Sequence, residues 1–244
     1  MASLRLLYCH GLESGPHGHK ARWLAEWAGG LTSVDMRVSL ANPLPSNSLL
    51  RSLGAAIVSR PRREWLASAV GRSLESCAQL QRDAIRDSGP FDALVASSWG
   101  AAVALKLLAE GSFCGPAVLL YAHAPSCSSP CPASPHSCPA HRAPERWAGC
   151  LETSPLEKAT SETGRTVDRV SRLKPELKAR CVIVHGTIDP TVPIEDSREL
   201  SRQTGIRLIE VEGGSHGLGV IVQDGRLKRF IETVVKGDAS HIKP

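Results

Sequence analysis

Ser98, Asp189 and His216 are residue types that together can activate a hydroxyl for attack on a carbonyl, and they occur in this 244-residue sequence in that order. Ser98 lies in Phe91-Asp-Ala-Leu-Val-Ala-Ser-Ser-Trp-Gly100. The apolar run from Ala93 to Ala96 predicts a buried strand, and Ala101 to Ala109 predicts a helix. A serine on a strained strand-to-helix turn exposes its Oγ only if the residues two positions either side are small. For Ser98 those are Ala96 and Gly100; for Ser97 they are Val95 and Trp99. The pattern therefore selects Ser98 as nucleophile, with a helix-capping serine as the plain alternative.

Asp189 follows the apolar run Cys181–His185, in His-Gly-Thr-Ile-Asp-Pro-Thr-Val-Pro193. His216 follows Ile206–Val211, in Glu-Gly-Gly-Ser-His-Gly-Leu218. A serine hydroxyl is a weak nucleophile until an imidazole takes its proton, and a carboxylate fixes the tautomer of that imidazole. The order Ser, Asp, His differs from that of the two familiar protease folds. Asp189 could instead only start a turn before Pro190, and His216 could be an ordinary loop histidine. His10-Gly11 ends the first apolar run, so the backbone N–H of Leu12, paired with that of Trp99, is the candidate oxyanion hole. His10 and His185 are expected to brace their loops, and His17 and His19 to face solvent.

Positioning these groups requires strands that all end on one side. Leu4–Cys9, Val34–Val38, Ala93–Ala96, Ala117–Ala122, Cys181–His185 and Ile206–Val211 read as six strands. Helices are expected near Lys20–Ala28, Leu49–Val58, Ser73–Asp87, Val167–Leu177, Glu195–Gln203 and Asp224–Val235, besides the one after Ser98. Pro61 is expected to interrupt the chain, Asn42–Ser46 to be loop, and Gly237–Pro244 to fray. This alternation predicts an α/β fold, a doubly wound, mostly parallel sheet with helices on both faces. In such sheets reacting groups gather beyond the C-terminal strand ends. One domain over 1–244 is expected, with 123–166 as an irregular Pro/Ser/Cys-rich insertion or lid.

The net charge of +5 is mild. Arg51, Arg60, Arg62, Arg63 and Arg72 form the densest basic stretch, but without the interleaved aromatics of a stacking platform, so no nucleic acid partner is expected. No apolar run reaches membrane-spanning length, and the strand-like start leaves no room for a signal peptide. Cys9, Cys77, Cys114 and Cys181 stand singly in apolar contexts and read as buried thiols of a reducing, cytoplasmic protein. Cys127, Cys131, Cys138 and His141, with His123, His136 and Cys150 nearby, do not match paired zinc-ligand spacings. No metal or cofactor is expected, since no phosphate-binding glycine loop is present either.

Taken together, Leu7-Tyr-Cys-His-Gly-Leu12, Val95-Ala-Ser-Ser-Trp-Gly100, Val184-His-Gly-Thr-Ile-Asp-Pro-Thr-Val-Pro193 and Gly213-Gly-Ser-His-Gly-Leu218 resemble the α/β-hydrolase superfamily. The form His10-Gly-Leu-Glu-Ser-Gly-Pro16, followed by His19-Lys-Ala21, resembles the small YqiA-like esterases, which carry little or no cap. The likeness covers roughly 4–38, 91–122 and 181–235, and departs from the pattern at Ala96, where glycine is usual. It implies a serine hydrolase acting on a small-molecule carboxylic ester through Ser98, Asp189 and His216, with no stable membrane insertion. A thioesterase or acyl-protein deacylase, and a non-hydrolytic ligand-binding protein on the same fold, are the alternatives. Oligomeric state is left open.

Overall fold

The computed structural model describes residues 3–12, 14–38, 60–121, 165–237 and 239–242, with only the backbone over 60–70. Six strands form its sheet: β1 Leu4–Cys9, β2 Gly29–Ser33, β3 Ala93–Ser97, β4 Ala117–Leu120, β5 Cys181–Gly186 and β6 Arg207–Val211. Every pair is parallel and the spatial order is β2-β1-β3-β4-β5-β6. Helices α1 His19–Ala28, α2 Arg60–Ser88 and α3 Trp99–Ala109 precede β4. After it come α4 over 165–171, α5 Pro175–Lys178, α6 Ile194–Thr204, α7 Gly219–Gln223 and α8 Arg226–Lys236.

Strands buried on both faces read as continuous apolar runs, as β3, β4 and β5 do. Their side chains alternate between two cores. Leu7, Cys9, Leu94, Ala96, Leu119 and Ile183 pack with Cys77 and Ala78 of α2 and Val103 and Leu107 of α3. Leu6, Tyr8, Val95, Val118, Leu120 and Val184 pack with Leu24 of α1 and with α8. In α8, Leu227, Phe230, Ile231 and Val234 follow an i, i+3, i+4, i+7 stripe and are all buried. Each such side chain contributes about 1.5–3 kcal/mol.

The chain leaves β1 to build β2 on one side, then crosses to build β3 on the other. The turning point therefore lies between the C-terminal ends of β1 and β3, where open α/β sheets form their crevice.

Several boundaries differ from the sequence expectation. The second strand is Gly29–Ser33 rather than Val34–Val38. Gly29, at φ 79°, ends α1 in the left-handed region, and the chain turns straight into pairing with β1. Met36 and Val38 are buried without belonging to the sheet. The helix before β3 begins at Arg60, so Pro61 falls in a first turn, where its missing N–H costs nothing. The fourth strand ends at Leu120, the expected 167–177 helix is divided into α4 and α5, and the short helix α7 precedes the expected final helix, which is α8.

Within the Gly237–Pro244 stretch expected to fray, residues 239–242 are held against the fold. The Arg207 guanidinium donates to the carbonyls of Ala239 at 3.0 Å and Ile242 at 2.6 Å, and to that of Ser240. Ala239 and Ile242 are buried. Cys114 is exposed rather than buried, whereas Cys9, Cys77 and Cys181 are buried thiols. Asn42–Ser46, Leu49–Val58 and all but the last two residues of the 123–166 insertion lie outside the described residues. Residues 165 and 166 already belong to α4. Among the described residues no helix is long and apolar enough to cross a membrane.

Candidate active site

Ser98 is the single residue between β3 and α3, at φ 54° and ψ −121°. A non-glycine residue held there is strained by about 1–3 kcal/mol, and persists only where its surroundings over-determine it. Those surroundings are visible. The Ser98 N–H donates to Leu120 O at 2.9 Å, and its carbonyl accepts from the Ala101 N–H at 2.8 Å. Gly100 lets α3 start hard against β1, since a Cβ there would stand 2.0 Å from Cys9 O. The requirement for small neighbours is thus a backbone contact at Gly100, while Ala96 is fully buried in the strand. Ser97 points inward and is 5% exposed; Ser98 is half-buried and accessible.

Asp189 and His216 are joined by two loops that interlock. Thr187 N donates to Val211 O at 3.0 Å, Ile188 N to Gly214 O at 3.1 Å, and Gly213 N to Thr187 Oγ1 at 2.9 Å. A Cβ on Gly186 would come within 2.1 Å of Gly214 O, so the two backbones cross where neither carries a side chain. Asp189 then serves both roles the sequence allowed. Its Oδ1 accepts from the N–H groups of Thr191 at 2.8 Å and Val192 at 3.0 Å, closing the turn. Its Oδ2 lies 2.7 Å from His216 Nδ1.

His185 supports that carboxylate from below. Its Nε2–H donates to Val192 O at 3.0 Å and approaches Asp189 Oδ2 at 3.4 Å, while Nδ1 faces Ser197 Oγ at 2.6 Å. Burial pushes the Asp189 carboxyl up, but hydrogen bonds from His185, His216 and the Val192 and Thr191 amides outweigh it. They hold the group well below the usual carboxylate range. An ionised Asp189 keeps the His216 proton on Nδ1 and turns the Nε2 lone pair toward Ser98 Oγ, 3.2 Å away.

The third loop leaves β1. His10 is fully buried; its Nε2 accepts from the Met36 N–H at 3.0 Å and its Nδ1 faces Gly11 O at 2.9 Å, so it braces the loop as expected. Gly11 lies against the serine, for a Cβ there would meet Ser98 Cβ at 3.0 Å and Ser97 O at 3.1 Å. Trp99 is the first residue of α3, so its N–H has no acceptor within the helix. No described residue accepts from the N–H of Leu12 or of Trp99. His17 and His19 are exposed. The Cys127, Cys131, Cys138 and His141 group lies outside the described residues.

Two residues to which sequence reasoning gave no role join this cluster. Tyr121, the first residue after β4, stacks on the His216 ring with centroids 4.5 Å apart and planes at 21°. Lys20 places its Nζ 5.4 Å from the Tyr121 ring centroid. The rule that reacting groups follow parallel strands would have flagged Tyr121, because it stands one residue past a strand end. Two surface clefts of the described residues, one around Lys178 and Arg207 and one around Asp35 and Glu75, contain none of these groups.

A model of a serine hydrolase family, FSH1, matches residues 51–217, a span holding Ser98, Asp189 and His216 but not the β1 loop. No curated protein matches the sequence. Among solved structures, TT1662 from Thermus thermophilus superposes with a TM-score of 0.60 at 19% identity, over 96% of this chain and 90% of that one. A monoacylglycerol lipase from Paleococcus ferrophilus gives 0.56 at 13% identity, over 96% and 94%. The Pyrococcus furiosus esterase Pf2001 gives 0.53 at 13% identity, over 95% and 83%. At such identities the likeness is one of fold, the α/β-hydrolase fold.

Proposed function

Because this chain belongs to the FSH1 serine hydrolase family, we propose that it cleaves carboxylic esters through an acyl-enzyme formed on Ser98. The observation that carries this reading is the unbroken line from Asp189 Oδ2 through His216 to Ser98 Oγ, with steps of 2.7 Å and 3.2 Å. As Oγ attacks the carbonyl carbon, its proton passes to His216 Nε2. Asp189, ionised and acceptor-only, stabilises the imidazolium through Nδ1–H. The carbonyl oxygen becomes an oxyanion and accepts from the N–H groups of Leu12 and Trp99, donors held in place before charge develops. His216 then returns the proton to the departing alkoxide. Water, deprotonated by the same nitrogen, attacks the acyl-serine and releases the acid.

Ile188 and Val220, 63% and 43% exposed, stand next to Asp189 and four residues past His216. Exposed apolar side chains this close in sequence to Asp189 and His216 suit an ester with an apolar part. The test is hydrolysis of p-nitrophenyl acetate and butyrate by wild type, Ser98→Ala and His216→Ala at matched purity. Wild-type turnover with losses of at least about 10³-fold in both variants is expected. Equal rates in all three, together with no fluorophosphonate labelling of Ser98, would sink the reading. Acyl-thioesters of the same chain length in the same assay separate ester from thioester preference.

A further inference from the structure

Lys20 is a cation beside this site for which no described residue supplies an anion. It lies in the first turn of α1, where no acidic residue accompanies it. A positive charge there is opposed by the helix dipole, and burial lowers its amine to about 8. The contact of Nζ with the Tyr121 ring, at 5.4 Å, offsets only part of these costs. A lysine kept only for packing would do better as methionine, so the charge needs another reason.

Its position supplies one. Ser97 pairs with Leu120 across β3 and β4, so Tyr121 stands beside Ser98 in the next rank. The Tyr121 ring lies against His216, and the ammonium against that ring. Lys20 and His216 thus share Tyr121 as a neighbour, beside Ser98, and no described residue neutralises the ammonium.

We propose that Lys20 is a specificity-determining residue that pairs with a carboxylate carried by the substrate, so that the preferred esters are anionic. This rests on the ester-hydrolase reading above. The carboxylate can come from the acyl side, as in a hemiester of a dicarboxylic acid, or from the alcohol side. Pairing with the ammonium neutralises a charge that the fold holds at a cost, which a neutral ester does not do.

The experiment compares wild type, Lys20→Met and Lys20→Arg on matched esters. Mono-4-nitrophenyl glutarate against 4-nitrophenyl butyrate tests the acyl side; 4-carboxyphenyl butyrate against phenyl butyrate tests the alcohol side. Wild type is expected to favour the anionic member of one pair. In Lys20→Met that ratio of kcat/KM falls by about tenfold or more, mainly through KM, as for loss of a hydrogen bond to a charged group. Lys20→Arg retains most of it, and the pair that responds identifies the side. Melting curves check that both variants are folded. Neutral esters turned over through Ser98 with anionic-to-neutral ratios that Lys20→Met leaves unchanged would overturn the Lys20 assignment alone. Failure of folded wild type on all four esters would overturn the ester-hydrolase reading, and this assignment with it.

Discussion

Gly186→Ala puts the crossing of the two loops to the test. The added Cβ would stand 2.1 Å from Gly214 O and 2.4 Å from its carbonyl carbon, against a practical floor of 3.0 Å, and both obstacles are backbone. The His216 loop must retreat by nearly an ångström. Gly214 O also accepts from Ile188 N at 3.1 Å, so the same movement loosens the turn holding Asp189. His216 starts 3.2 Å from Ser98 Oγ, already the long side of hydrogen-bond distance, and has no slack to give. A 1 Å misplacement of a reacting group costs on the order of 10²-fold in rate. Overpacking at a tight site costs about 1–3 kcal/mol of stability. The assay is kcat/KM on p-nitrophenyl butyrate, well below the melting temperature of each variant, with urea unfolding alongside. Gly217→Ala is the control, since a Cβ there meets nothing within 4 Å. If Gly186→Ala kept half the wild-type kcat/KM, the crossing would not be what holds Asp189 and His216 together.

Asp189, held below its unfolded pKa, contributes stability above the ordinary carboxylate range that is lost as the pH falls toward its low folded value. Asp189→Asn should therefore lose activity and show a smaller drop in urea midpoint than wild type between about pH 5 and pH 2. Lys20 has the opposite sign, since its folded value of about 8 lies below the ordinary lysine value of 10.5. Its cost is present in full below pH 8 and relieved as the pH rises through that interval, so Lys20→Met should be more stable at pH 7 by ~1–2 kcal/mol and lack the alkaline gain. An unchanged or lower melting temperature at pH 7 would contradict that. Arg207→Ala removes the donor that holds the carbonyls of Ala239, Ser240 and Ile242. Hydrogen exchange at Ile242 should rise to that of free chain, with ~1–3 kcal/mol lost globally; protection equal to wild type would refute the clamp.

Much of the site was legible because its residues obey local rules. Ser98 was separable from Ser97 by the size of its neighbours, and the glycine at position 100 proved to be a backbone contact. Asp189 and His216 followed from strand ends, since a parallel sheet delivers every such loop to one side. The second strand was misplaced for a physical reason. Val34–Val38 has buried Met36 and Val38 and looks like a strand, but Gly29 turns the chain into the sheet five residues earlier. Local pattern records burial and does not record which segment pairs. Lys20 and Tyr121 were given no role because their meaning lies in a stack between α1, the end of β4 and the His216 loop, remote in sequence. The clamp of Arg207 on the terminal residues is equally non-local.

The strained backbone of Ser98 also bears on how this chain could change over generations. At φ 54° and ψ −121° a glycine is at ease and a serine is not. Ser98→Gly should therefore abolish turnover while making the protein harder to unfold, more so than Ser98→Ala. On the proposed reading, loss of the nucleophile is therefore downhill for folding. A lineage that no longer needed hydrolysis could slide into a sturdier receptor for the same ligands by one substitution.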